Sequence, residues 1–223
     1  MVYGKEWQEM TNKSDQGAKW DERYLSGEYR PRSEASSLIK IAIEETEGNG
    51  KRCLEVACGN GRNAVYLAEM GYEVDAIDVS TIALSRAKER GENAGVNVNW
   101  ILADIDEFEF AEEEYDVIVV DFFFCEKDMM QTIKKSLKSG GMIIYEHHIR
   151  TEDRVDRGPS KDKYRFKSNE LLNHFRELTI LYYKEGIRRV DRGSMAVASL
   201  VARKTKEESQ KYPDEIGGSM SQK

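Results

Sequence analysis

Short apolar blocks alternate along this chain between two spacings. "RCLEVAC" (52–58) is an apolar run of strand length, interrupted by one carboxylate. "GRNAVYLAEM" (61–70) spaces its apolar residues as one face of a helix does, with Gly71 as a natural C′ residue. The same pair recurs as strand "YEVDAIDV" (72–79) and helix "STIALSRAKERGENAG" (80–95), opened by Ser80 and closed near Gly95. "VNWILADI" (98–105) and "YDVIVVD" (115–121) read as strands three and four, separated by the acidic loop "DEFEFAEEE". "KDMMQTIKKSLKSG" (127–140) predicts a helix with a glycine stop, and "GMIIYEHH" (141–148) strand five.

The ends are less regular. Residues 1–33, with Trp7, Trp20 and Tyr24, read as an irregular N-terminal lid segment, and "SEASSLIKIAIEETE" (33–47) as a helix capped by Ser33. A basic stretch (149–167) is expected to loop over the cleft, followed by a short helix, "SNELLNHFREL" (168–178). "TILYYK" (179–184) and "MAVASLVA" (195–202) read as a final antiparallel pair joined by "EGIRRVDRGS". Residues 204–223 read as a polar, disordered tail after a single domain spanning 1–203. Strands alternating with helices over short connections predict an α/β fold, a mainly parallel sheet covered on both faces. In such a sheet ligands bind beyond the carboxyl ends of the strands, where the strand order reverses.

Composition narrows the function. A net charge of −7 argues against general nucleic-acid binding, which draws on basic surface. No apolar run reaches membrane-span length, and "MVYGKEWQEM" has no signal-peptide core. Cys53, Cys58 and Cys125 lack the paired spacing of a disulfide framework or zinc site, so no metal is expected and a reducing cytoplasm fits. The oligomeric state is not legible.

The chemistry gathers at strand ends. Gly59 and Gly61 follow strand one and precede a helix, where glycine admits close backbone approach and the helix offers free amides. "GNGRNA" also fits the dinucleotide pattern G-x-G-x-x-G/A, with Asp78 nineteen residues after Gly59. Glu55 separates the readings, because a buried anion before a pyrophosphate turn would repel it. A ligand with an ammonium, a positive centre, a ribose diol and an adenine but no phosphate suits that anion. S-adenosylmethionine is such a ligand. Asp78 then serves the ribose hydroxyls, Asp104 the adenine amino group with Ile105 on the ring, and Asp121 the methionine moiety. Ala57, Asn60 and Val79 line the same strand ends, and Arg62 is placed to pair with the cofactor carboxylate. Tyr24 in "WDERY" belongs to a lid over the methionine end.

Glu55-x-x-x-Gly59-x-Gly61, Asp78, "ADI" and "DVIVVD" resemble the class I S-adenosylmethionine-dependent methyltransferases over residues 50 to about 148. "WDERY" and "ASLVARK" look like the small tellurite-resistance (TehB-like) group within them. The resemblance implies a Rossmann-like three-layer sandwich with a seven-stranded, mainly parallel sheet whose last strand is antiparallel. It also implies methyl transfer to a small molecule, with S-adenosylhomocysteine as product. A non-catalytic cofactor-binding regulatory module and a nicotinamide-dependent oxidoreductase stay open as alternatives.

For the acceptor, "DFFF" (121–124) offers Phe122 to the sulfonium or to an apolar group. The Asn/Asp-Pro-Pro-aromatic turn of many methyltransferases acting on amino groups is absent here. His147 and His148 end strand five and are the candidate bases; adjacent strand residues point opposite ways, so one at most faces the cleft. Seven basic against four acidic residues in 150–167, with Arg188 and Arg189 in the last hairpin, suit a small anionic acceptor such as a thiol, a chalcogen or another anion. In the TehB-like family a histidine–arginine pair of this hairpin is tied to activity, and here the aligned pair is Arg188–Arg189. The histidine is missing.

Overall fold

The computed structural model describes residues 15–205 apart from 30, 45, 47, 191 and 192. Trp7 and the tail beyond Thr205 lie outside the described residues. Seven strands, β1 (Arg52–Val56), β2 (Glu73–Asp78), β3 (Asn99–Leu102), β4 (Tyr115–Asp121), β5 (Leu137–His148), β6 (Thr179–Val190) and β7 (Gly193–Arg203), form one sheet in the order β3-β2-β1-β4-β5-β7-β6. Strands β1 to β5 pair in parallel; β7 runs antiparallel to both β5 and β6. The order reverses between β1 and β4, the place where open α/β sheets bind their ligands.

Strand alternation divides the core. One face carries Cys53, Val74, Ala76, Val117, Val119, Met142, Ile144 and Val201, packed under α2 (Ser37–Ile43), α3 (Arg62–Glu69) and Leu84 of α4 (Thr81–Ala94). The opposite face carries Leu54, Val56, Ile118, Val120, Ile143 and Tyr145, packed under α5 (Lys127–Ser136) and α6 (Glu170–Phe175). This is the expected three-layer α/β sandwich with seven strands, the last antiparallel. Among the described residues no helix is long and apolar enough to cross a membrane.

Four local expectations need correction. Part of the supposedly irregular N-terminal segment is a helix, α1 (Asp15–Ser26). Its buried residues, Gly17, Asp21 and Tyr24, form a stripe at i, i+4 and i+7, but none is aliphatic, so hydrophobic periodicity could not reveal it. Helix α2 starts at Ser37 with Ser36, not Ser33, as N-cap. Helix α5 ends at Ser136, because buried Leu137 turns extended to pair with Tyr115. The stretch between the last two strands is itself paired: β6 runs to Val190 and β7 starts at Gly193, with Arg188 opposite Met195 and Arg189 opposite Ser194.

Candidate functional site

The alternation that sorts the core also sorts the charges. Continuing the face of Cys53, Ala76, Val119 and Ile144 to the strand ends gives Glu55, Asp78, Asp121, Glu146 and His148. Asp121 and Glu146 are register partners, so four adjacent strands deliver carboxylates to one face near the switch point.

The turn after β1 is built tightly. Ala57 holds φ +53°, a left-handed conformation costly for a residue with a side chain. The amide of Gly59, at φ +58°, donates to Asp78 Oδ2 at 2.7 Å, and the Ser80 amide donates to Oδ1 at 2.9 Å. Asp78 thus ties the glycine turn to the start of α4, and Val79 lies half-buried between. The two glycines have different duties. A Cβ at Gly59 would meet Tyr24 Oη at 2.9 Å, whereas one at Gly61 would strike the Trp100 ring at 2.7 Å and Ala87 Cβ at 2.8 Å. Gly59 faces Tyr24 of α1; Gly61 closes the packing of α3 on its neighbours. Asn60 is buried and its side-chain amide donates to the Arg32 carbonyl at 3.3 Å. At the β3 end, Asp104 Oδ1 accepts from the Asp106 amide at 3.2 Å, and Ile105 is buried in the opposite core.

Helix α1 closes over this turn through Asp21. Its Oδ1 accepts from Ser80 Oγ at 2.5 Å and the Ile82 amide at 3.1 Å, and its Oδ2 from Thr81 Oγ1 at 2.6 Å. Arg86 donates to the Tyr24 carbonyl at 3.1 Å. The Tyr24 ring packs 5.1 Å from Tyr29 and 6.4 Å from Trp20.

Glu55 is 2% exposed, and burial, against the opposing pull of Asn63 and Arg62, raises its pKa to about 8. Asn63 Nδ2 donates to Oε1 at 2.9 Å and the Ala64 amide also faces the carboxylate, while Oε2 makes no hydrogen bond of good geometry. Asn63 also reaches Asp121 Oδ2 at 3.2 Å, and that carboxylate is ion-paired with Arg62; Asp121 Oδ1 is buried and unpartnered. Arg62 and Asp121, both read from the sequence as cofactor contacts, therefore face each other.

A second charge group adjoins it. Arg188 grips Glu146 with both terminal nitrogens, at 2.8 and 2.6 Å, and Ser199 Oγ donates to the same carboxylate at 2.7 Å. Arg189, its neighbour on β6, is exposed. Phe122 holds φ +60° just past β4, and its ring has the Arg32 guanidinium at 4.2 Å, that of Arg188 at 5.9 Å and the His148 ring at 5.0 Å.

The two histidines separate by face. His147 is buried beside Phe124 and Phe166 on the Tyr145 side, its Nε2 bonded to the Tyr164 carbonyl at 2.9 Å. His148 lies on the carboxylate side, its Nδ1 buried and unpartnered, with Gly158 of the 149–167 stretch against it. Burial lowers both, His147 to about 4 and His148 to about 3, the latter helped by His147, Arg32 and Arg165. Both rings are neutral near pH 7.

Glu146, Asn63, Asp21 and Arg32 touch or face the candidate site residues and were missed in reading the sequence. Glu146 carried a usable signal, since period-two spacing from Ile144 puts it on the face of Asp121. Asp21 lay inside "WDERY" but was read only as part of the resemblance; Asn63 and Arg32 carried no signal, because their contacts depend on how distant elements dock.

Residues 53–141 match the family model described as "Methyltransferase domain". The chain is 28% identical over 166 residues to the probable S-adenosyl-L-methionine-dependent methyltransferase TehB of Haemophilus influenzae. That match takes in 69% of this chain and 57% of the relative, so the chain spans little more than half the relative's length. It is 31% identical over 132 residues to the ubiquinone biosynthesis O-methyltransferase of Saccharophagus degradans, taking in 56% of this chain and 55% of that one. Among solved structures, the Haemophilus influenzae TehB crystal structure superposes with a TM-score of 0.69 at 25% identity, covering 83% of this chain and 67% of that one. The Burkholderia thailandensis 1,6-didemethyltoxoflavin-N1-methyltransferase, with bound S-adenosylhomocysteine, gives a TM-score of 0.65 at 17% identity over 86% and 88% of the two chains, a likeness of fold.

Proposed function

We propose that this chain, whose residues 53–141 are a methyltransferase domain and whose fold is that of the S-adenosylmethionine-dependent methyltransferases, transfers a methyl group from S-adenosylmethionine to a small-molecule acceptor. The observation that carries the reading is the pair of buried, unpartnered carboxylate oxygens, Glu55 Oε2 and Asp121 Oδ1, beside a glycine turn. Buried carboxylate oxygens without donors are costly, and a ligand ammonium relieves both. A pyrophosphate brings only acceptors, so it could give Asp121 Oδ1 no donor and would set negative charge against that carboxylate, which argues against a nicotinamide dinucleotide.

The residues present fit the cofactor. Glu55 and Asp121 would take the ammonium end, Arg62 its carboxylate, and Asp78 the ribose hydroxyls, each Asp78 oxygen keeping a lone pair beyond its backbone bond. Asp104 would take the adenine amino group, whereas Ile105, expected on the ring, is spent in the opposite core; Tyr24, with Ala57, Asn60 and Val79 around the turn, would form the cover. When bound, the cofactor supplies a methyl group on a positively charged sulfur.

The protein's own part is alignment. The ring of Phe122 supports the acceptor, and α1 excludes water over Gly59. His148, neutral and with Nδ1 buried, is too weak a base to draw a proton from a thiol or an alcohol, so the site suits acceptors that arrive already ionised. Thiolates, chalcogen anions and other anionic compounds meet that condition, which favours them over alcohols or amides. His147, bonded to Tyr164, holds the 149–167 stretch in place.

Calorimetric titration with S-adenosylmethionine, S-adenosylhomocysteine and NAD tests the reading. We expect micromolar binding of the first two and none of the third. Asp78→Ala should weaken the binding by about 1–3 kcal/mol through loss of buried hydrogen bonds. Binding of NAD alone, or of nothing, would sink the proposal.

A further inference from the structure

Three guanidinium groups meet at the end of the sheet, and their partners are unequal. Arg62 is paired with Asp121 and Arg188 with Glu146. Arg32, half-buried, has no carboxylate within 4.0 Å among the described residues; its side chain lies on the Phe122 ring and its Nη2 reaches the Met195 sulfur at 3.3 Å. Arg188 Nη2 reaches that same sulfur at 3.7 Å. Two cations thus converge on one fully buried, uncharged thioether, which cannot neutralise either of them. Arg188 Nε is also buried without an acceptor. A buried N–H without an acceptor, and a cation whose nearest carboxylates, Asp121 and Glu146, are already engaged by Arg62 and Arg188, lie beside one ring and ask for the same thing. That thing is an anion.

We propose that Arg32 selects the acceptor's charge, binding an anionic oxygen group of the acceptor beside Phe122 with the free Nε–H of Arg188 as second donor. The inference rests on the methyltransferase reading and adds the residue that sets specificity. Charge-assisted bonds from guanidinium to a carboxylate or another oxyanion are the strong kind, and the partial burial here limits screening. Arg32 is a binding and positioning residue; nothing in its placement makes it an acid or base. Its own backbone is pinned, since the carbonyl accepts from Asn60 in the glycine turn, so the anion site and the cofactor turn share a support.

The test uses the full chain saturated with S-adenosylhomocysteine and three probes: 3-mercaptopropionate, its uncharged amide 3-mercaptopropionamide, and selenite. Affinities are measured by calorimetry for the unmodified protein, Arg32→Gln and Arg32→Lys. We expect the carboxylate to bind at least tenfold more tightly than the amide, the preference to vanish in Arg32→Gln and to survive largely in Arg32→Lys. Selenite binding more tightly than 3-mercaptopropionate would identify an inorganic oxyanion as the acceptor type, the reverse order an organic carboxylate. Equal affinity for carboxylate and amide in the unmodified protein, including no binding of either, would overturn the proposal however Arg32→Gln folds. So would a preference that persists in Arg32→Gln. Failure of the unmodified protein to bind S-adenosylhomocysteine is a separate outcome, and it removes the underlying reading together with this one.

Discussion

Glu55 is the residue whose chemistry changes most when a ligand arrives. Burial raises its pKa from 4.5 to about 8, so the ligand-free protein holds it neutral at pH 7. The stability due to that raised value is complete below pH 4.5 and is lost as the pH climbs through 8. A cation against Oε2 favours the ionised form and lowers the pKa again. Binding of S-adenosylmethionine at pH 7 should therefore release a proton, seen as a binding enthalpy that varies with the ionisation enthalpy of the buffer. Glu55→Gln should abolish the variation; buffer-independent enthalpy in the unmodified protein would contradict the assignment. Glu55 was readable from sequence because an acid inside an apolar strand is conspicuous. Arg32 was not, since an arginine in a polar segment looks like any solvated charge until its guanidinium is seen lying on Phe122.

Helix α1 shows how an element can escape the eye and still matter. Its docking is polar, with one aspartate receiving three donors from the first turn of α4. Asp21→Ala should cost about 1–2 kcal/mol, as loss of a capping carboxylate does, and loosen α1. Urea unfolding and hydrogen exchange would measure the two effects. Weaker S-adenosylhomocysteine binding should accompany them, because Tyr24 covers Gly59 from α1. Unchanged exchange in α1 would mean that its aromatic contacts, not Asp21, hold it down. Gly59→Ala attacks the same junction from below. It combines a strained left-handed φ with a clash at Tyr24 Oη, and should weaken cofactor binding by about tenfold or more, given a cost near 1–2 kcal/mol for a side chain in that conformation; equal affinity would show that the lid yields freely. The helices after β1 and β2 were legible because glycine and serine marked their ends. Helix α5 was misjudged by a few residues because pairing of Leu137 overrode a helical pattern.

At the scale of the molecule, alternating strands and helices were enough to anticipate a parallel sheet flanked on both faces, yet pattern alone did not give the strand order. That β7 inserts between β5 and β6 follows from pairing that no local spacing encodes. Its position predicts a gradient of protection. Amides of β7 should exchange with solvent as slowly as those of β1 and β4, while the edge strands β3 and β6 exchange sooner. Rapid exchange along β7 would be incompatible with its interior position. The same placement sets a schedule for biosynthesis. Until residues 193–203 have been made, β5 is an open edge bearing Ile143, Ile144 and Tyr145, the kind of edge that recruits other chains. A ribosome stalled before this segment would release a protein already holding its glycine turn but prone to aggregate, and a chaperone that shields β5 would matter most in that interval.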